Sequence, residues 1–266
     1  FPASATDYAG FGSGDDEQNT GFSALSAQQA NDMRAILEGT ASSGAMSYGS
    51  YESFTNIDFI ELTASPGAAS IRVAISSLAN PTAYAYYPGT SVGSGDIWLG
   101  TTYFGTGGTE ANPLAGSYGY LTLLHEAGHA LGLKHPHENF SATSPTAPTL
   151  PADVDSLEFT VMSYRSYVGA DLGGYTNEQF GYPTTPMMLD IQALQHLYGA
   201  DYTVNSTDTT YSWNPATGEM SLNGVGQGAP GGNRIFLTVW DGGGRDAYDM
   251  SNYTNGVSVD LRPGKW

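Results

Sequence analysis

The sequence predicts an α+β fold: a mixed, mostly parallel twisted sheet with three main helices, followed by a short β-rich C-terminal extension. Three observations carry this. Apolar residues recur at helical spacing near residues 26–38, 118–131 and 186–198. Short alternating runs lie between the first two of these segments, as expected of a sheet with helices packed against it. Beyond about residue 200 the chain turns rich in Asn, Asp, Thr and Gly.

Each element has its own signal. Residues 1 to about 22 are rich in Gly, Asp, Ser and Thr and read as a loop-like lead-in. Ser26 with Gln29 has the form of a capping box, Ala30, Met33, Ile36 and Leu37 form the apolar stripe behind it, and Gly39 ends the helix. Thr40 to Gly49 reads as a loop of small residues. Strands are expected at Ile57–Leu62, Ile71–Ile75, Tyr84–Tyr87 and Asp96–Leu99. A second helix begins near Tyr118, and Pro136 to Pro151 is loop. In the third helix Thr185 is the expected cap and Pro186 suits the first turn; Met187, Ile191, Leu194 and Tyr198 share a face, and Gly199 closes it. A domain boundary is placed near Ala200, giving 1–200 and a β-rich 201–266 that includes the run Ile235–Trp240.

Composition narrows the function. The 266 residues carry 8 Lys and Arg against 26 Asp and Glu, a net charge of −18, which argues against nucleic acid or anionic membrane as partner. No cysteine is present, so no disulfide staples the fold. No apolar run is long enough to span a bilayer, and Phe1-Pro2-Ala3-Ser4-Ala5-Thr6 lacks the form of a signal peptide. The balance fits a bacterial extracellular enzyme stabilised by metal ions.

The chemistry concentrates in His125-Glu126-Ala127-Gly128-His129-Ala130-Leu131-Gly132-Leu133-Lys134-His135, which reads H-E-x-x-H-x-x-G-x-x-H. Residues four apart on a helix share a face, so His125 and His129 can grip one ion with Glu126 beside them. Gly132 lets the chain leave the helix and return His135 as a third ligand. Three neutral imidazoles on zinc leave a position open for water, the pattern of a catalytic site, and Glu126 is the natural general base. A bare H-E-x-x-H also arises by chance on surface helices. The added Gly and His, and an apolar flank of Leu121, Leu124, Ala127, Ala130 and Leu131, favour a built site. His137 is a wrong-register alternative to His135, and His196 has the look of a packed or surface residue.

These residues resemble the metzincin zinc peptidases and, within them, the serralysin family of bacterial secreted proteases. Phe159-Thr160-Val161-Met162-Ser163-Tyr164 is similar to the family's methionine turn, and His135-Pro136 and Pro186–Ile191 followed by His196–Ala200 are similar to serralysin segments. The resemblance implies a metzincin-type zinc peptidase domain. It implies Met162 as an apolar floor under the metal, and Tyr164 as a further zinc ligand that swings to hydrogen-bond the oxyanion. Met162 is equally one of 7 methionines that could simply pack the core. The resemblance also implies that Ala83, Tyr84, Ala85 and Tyr86 form an edge strand that pairs with an extended substrate; the plainer alternative is that these tyrosines only cover a sheet edge.

Asp241–Tyr248 resembles one degenerate turn of the Gly- and Asp-rich calcium β-roll, and the family implies calcium ligands at Asn205, Thr207, Thr209, Asp241, Gly243 and Asp246. An ordinary Gly-rich turn is the alternative. With a single such turn, the chain is expected to be either a truncated form or a variant without the roll. The implied protein is a secreted, extracellular, monomeric zinc endopeptidase with calcium, acting on protein or peptide substrates with broad specificity and open to a proteinaceous inhibitor. An inactive binding or adhesion module, and a zinc hydrolase of non-peptide substrates, stay open.

Overall fold

The computed structural model describes residues 1–8, 16–40, 46–139 and 146–260, so parts of the loops expected at 1–22, 40–49 and 136–151 lie outside the described residues. The chain is α+β, with three long helices among the described residues: α1 (Ala27–Glu38), α3 (Tyr118–Ala130) and α4 (Met188–Tyr198). A single helical turn, α2 (Thr101–Phe104), precedes α3.

The start of α1 follows the capping box: Ser26 Oγ accepts from Gln29 N, and Gln29 Oε1 accepts from Ser26 N. Gly39 ends it with φ of 74°, the left-handed conformation a side chain would penalise. Ser117 caps α3 by accepting from Tyr120 N. Beyond Tyr118, every residue of α3 is buried, polar ones included. Leu121, Leu123 and Leu124 are at most 1% exposed, each contributing about 1.5–3 kcal/mol of apolar burial. That burial fixes the helix that carries the histidines.

The first sheet has three strands, β1 (Val73–Ser76), β2 (Ala83–Ala85) and β3 (Ile97–Gly100), in the order β1-β3-β2. β1 runs parallel to β3, and β2 antiparallel. The sheet is therefore mixed but not mostly parallel. The connection from β2 to β3 covers residues 86–96, shorter than the dozen or more residues a parallel crossover needs, and the pair is antiparallel. Ser23 exchanges two backbone hydrogen bonds with Ile75 and so covers part of the β1 side, while β2 is the open edge. Helix α3 packs on β2 and β3, with α1 beside it.

Two expected strands do not form. Residues 57–62 are extended without a ladder: Phe59 N donates to Glu52 Oε2, Ile57 and Phe59 pack on the core, and Ile60 is exposed. Residues 235–240 likewise make separate bonds. Thr184 N donates to Phe236 O, Thr238 N to Thr185 Oγ1, and Trp240 N to the Tyr48 hydroxyl. The cap of α4 also differs: Asp190, not Thr185, caps it by accepting from Met187 N, and Pro186 precedes the helix. The expected closure at Gly199 holds.

The C-terminal sheet has the order β6-β5-β4-β7, from β4 (Thr210–Trp213), β5 (Met220–Leu222), β6 (Val225–Gly226) and β7 (Ala247–Asp249). It shares a small core of Tyr211, Trp213 and Met220 with Tyr48.

Candidate metal centre and substrate cleft

Three imidazoles meet at the C-terminal half of α3. His135 Nε2 lies 3.0 Å from His125 Nε2 and 3.0 Å from His129 Nε2. His135 is delivered there by the turn at Gly132, whose φ is 102°. The opposite ring nitrogens are anchored: His125 Nδ1 donates to Val161 O at 2.8 Å, and His129 Nδ1 donates to Leu133 O at 2.7 Å. A carbonyl can only accept, so each Nδ1 holds the proton and each Nε2 turns a lone pair inward. Burial, then the neighbouring histidines, holds His125 well below the ordinary histidine value, and burial followed by His135 lowers His129 to about 4. Both are neutral, as ligands must be.

The lone pairs of His125 and His129 thus meet at His135 Nε2, where either a proton or a cation can satisfy them. Nitrogens at about 2.0–2.1 Å from one zinc stand about 3.3 Å apart in a tetrahedron, so slight spreading of the triad accommodates the ion. The residues fit a His₃ zinc site.

Glu126 is 6% exposed and its Oε2 is buried without a hydrogen-bond partner among the described residues. Burial pushes its carboxyl up to about 8. A buried carboxyl with an unpartnered oxygen beside a histidine triad is a group whose charge a nearby cation would set. Tyr164 is half-exposed, its ring 5.7 Å from that of His125 and 4.5 Å from that of His135. Burial, then the nearby Glu126 and Glu138, raises its phenol to about 12, so the hydroxyl keeps its proton.

Met162 is 2% exposed and lies under α3. A Cβ at Gly128 would come within 2.7 Å of Met162 Sδ, so glycine at this position is what lets the methionine approach the helix. The turn around it is held by Asp190. This buried carboxylate accepts from Thr160 Oγ1 at 2.5 Å and Val161 N at 2.8 Å, as well as from Met187 N, and burial lifts it to about 6. Asp155 accepts from Ser163 Oγ and Arg165 Nε on the far side of the turn. Sequence reading missed Gly128 and Asp190. A glycine inside a helix, unfavourable by about 1 kcal/mol, was the available signal for the first. For Asp190 only its place in a helix's first turn was readable, not the turn it holds.

The four edge-strand residues differ in role. Gly100 N donates to Thr82 O and Tyr86 N to Asp96 O, so by the antiparallel alternation residues 82, 84 and 86 bond inward while Ala83 and Ala85 point their amides and carbonyls to the open side. The Tyr84 and Tyr86 phenols instead donate to one oxygen of Glu17, at 2.7 and 2.5 Å. Below the edge is a cavity of about 510 Å³ reaching His125 and Glu126, walled by Tyr118, Leu121, Tyr164, Leu172, Tyr175 and Tyr182.

The residues expected at calcium lie close in space. A Cβ on Gly242 would come within 2.4 Å of Tyr202 O, and one on Gly244 within 2.6 Å of the Thr207 carbonyl carbon, so residues 202–208 run against 241–246. Asp241 accepts from Tyr211 hydroxyl and Gly243 N, Asp246 from Thr209 N, and Thr207 O from Thr209 Oγ1. Asn205 has φ of 51°. The groups of three or more His, Cys, Asp or Glu able to share an ion, among the described residues, do not include Asp241 or Asp246.

With this geometry in hand, residues 200–266 match the family model described as Peptidase M10 serralysin C terminal. Over 187 residues, 69% of this chain and 36% of the relative, it is 36% identical to Serralysin C of Dickeya chrysanthemi. It is 30% identical to Metallopeptidase AprA of Pseudomonas marginalis over 91% of this chain and 48% of that protein. It is 35% identical to Serralysin of Proteus mirabilis over 70% of this chain and 35% of that protein. The chain thus spans between a third and a half of the length of these relatives. Similarity over the motif-bearing body and a family match over the C-terminal segment agree: the chain belongs to the serralysin family of metzincins.

Proposed function

We propose that this chain is the catalytic part of a secreted zinc-dependent endopeptidase that hydrolyses extended protein substrates with broad specificity. The observation that carries the proposal is the convergence of three Nε2 atoms beside the buried Glu126 carboxyl, whose Oε2 has no partner among the described residues.

His125, His129 and His135 would hold the zinc. When bound, zinc supplies Lewis acidity that polarises a carbonyl and brings the pKa of a water to about 7. Glu126 takes the water's proton and hands it to the leaving amine. Its carboxyl, high in the metal-free site, falls toward the carboxylate range beside a dication, which makes it a base at neutral pH. The Tyr164 hydroxyl, protonated throughout this range, donates to the oxyanion or serves as a further zinc ligand. A peptide laid antiparallel along β2 bonds to the outward amides and carbonyls of Ala83 and Ala85, and one of its side chains enters the aromatic-walled cavity. Main-chain recognition of this kind reads extension rather than sequence, the basis for broad specificity.

Residues 1–200 form the catalytic domain and 201–266 a β-rich segment packed against it, with Asn205, Thr207, Thr209, Asp241, Gly243 and Asp246 offering oxygens to calcium. Secretion is proposed from the relatives. Among the described residues no helix is long and apolar enough to cross a membrane.

The test is metal analysis with a casein assay before and after chelation. Bound zinc and chelator-sensitive hydrolysis are expected. Zinc without casein hydrolysis would leave a binding module, and hydrolysis of small esters alone a different hydrolase; either overturns the reading.

A further inference from the structure

One cluster beside the triad is not used by the proposed hydrolysis. The rings of His135 and His137 lie nearly parallel, 11° apart in plane with centroids 5.5 Å apart. The Nδ1 atoms of both are buried and have no hydrogen-bond partner among the described residues. The Glu138 carboxylate stands 3.1 Å from His135 Nδ1, near but not aligned as a hydrogen bond. His135, His137 and Glu138 each offer one ligand atom, all within 4.8 Å of one another. The ring edge of His135 that faces away from the triad thus joins a second convergent set, two nitrogens and a carboxylate. Buried polar atoms left unbonded are uncommon, and two in neighbouring imidazoles that cluster with one carboxylate are a ligand set more than a packing accident.

We propose that His137 and Glu138, together with Nδ1 of His135, form a second divalent-cation site that regulates the first. The reading rests on His125, His129 and His135 as the zinc ligands. Two imidazoles and one carboxylate suit zinc or its nitrogen-seeking neighbours over calcium and magnesium, which take oxygen ligands. Entry of the second ion replaces the Nδ1 proton of His135, which leaves to solvent, and the imidazole becomes a bridge between two cations. Two effects follow. The two cations, held on one ring, repel each other, so the first is held less tightly. The ring of Tyr164, centred 5.1 Å from His137 and 4.5 Å from His135, is hemmed in beside the new ion and loses its freedom to reach the oxyanion. Occupation is inhibitory, so excess zinc switches the site off.

The experiment is a zinc titration of the metal-free full chain, read by calorimetry and by bound metal per chain, with casein hydrolysis followed in parallel. The native protein should bind one ion tightly and a second more weakly, losing most of its activity as the second fills. His137→Ala should bind only the first, keep the activity of the singly loaded protein, and resist excess zinc. Glu138→Gln, with the same shape and no charge, should also lose the second ion while its melting temperature reports that the fold is intact. A native protein that binds a single ion up to millimolar zinc, or a His137→Ala variant that still binds two, overturns the proposal. Failure to bind even the first ion, tested against His129→Ala, would instead overturn the zinc triad on which it rests.

Discussion

The body of the protein and its C-terminal segment solve the problem of building a site in opposite ways. In the body, α3 is buried almost throughout and its reactive groups are side chains locked by packing and by single carbonyls such as Val161 O and Leu133 O. In the C-terminal segment the strands are two to four residues long, and the region around 202–208 and 241–246 is held by carboxylate-to-amide bonds and closely approaching glycines. A buried side-chain site is rigid without a ligand. A site of backbone oxygens in loops with little apolar burial depends far more on the ion it would hold.

The largest effect that would test this contrast is on chemistry in the body. Glu126→Gln should keep zinc and the fold while casein hydrolysis falls by about 10²–10⁴-fold, the usual range for a lost general base. Near-native turnover would remove Glu126 from the mechanism. Packing comes next. Gly128→Val forces a side chain against Met162 Sδ and should destabilise by roughly 1–3 kcal/mol, measured by denaturant unfolding, whereas the same change at Gly256, which has open space around it and no positive φ, should be close to neutral.

Asp190→Asn tests the reach of the body's order. The amide keeps the shape but places a donor against the Thr160 hydroxyl, Val161 N and Met187 N, all of which donate to this carboxylate. Zinc affinity should drop by about 10–100-fold, as for outer-shell partners of metal-bound histidines, visible in competition with a chromogenic chelator. An unchanged affinity would make Asp190 a cap of α4 and nothing more.

The same buried acids set a pH dependence. Glu126, raised to about 8, and Asp190, raised to about 6, are favoured in their neutral forms in the folded metal-free protein. A folded-state pKa above the unfolded value gives stability that is complete below the unfolded value and lost as pH rises through the folded one. Below about pH 6.5 the depressed His125 and His129 act in the opposite sense, because the unfolded chain takes up protons there. The melting temperature of the metal-free protein should therefore fall only from about pH 6.5 to about pH 8, and less steeply in Glu126→Gln. Equal slopes would show that Glu126 is not the titrating group.

The smallest effect belongs to the C-terminal segment. Asp246→Ala removes the acceptor of Thr209 N on an exposed loop and should change global stability by less than about 1 kcal/mol. Hydrogen exchange at residues 202–209 should nonetheless rise, and calcium should slow exchange there in the native protein only.

What the sequence disclosed follows the same division. His125, His129 and His135 sit within one helix and turn, so their convergence was readable from spacing and a glycine. The capping box at Ser26 was equally local. Asp190 was not, because its partners Thr160 and Val161 are brought to it by the fold. Residues 57–62 and 235–240 misled because alternation records which faces are buried, not whether a neighbouring strand is there to pair. Tyr84 falls within β2 as expected and Tyr86 just past its end, yet the hydroxyls of both turn to Glu17, a contact only the folded lead-in creates.

Gly128 has a further consequence. Written as H-E-x-x-H, the motif treats its third and fourth positions as free, but here a side chain at the fourth would have to displace the methionine that lies beneath. The two residues, distant in the chain, fit one another as a matched pair of sizes. Anyone grafting this helix onto another scaffold must carry the floor with it, or move the helix outward by the width of a methyl group.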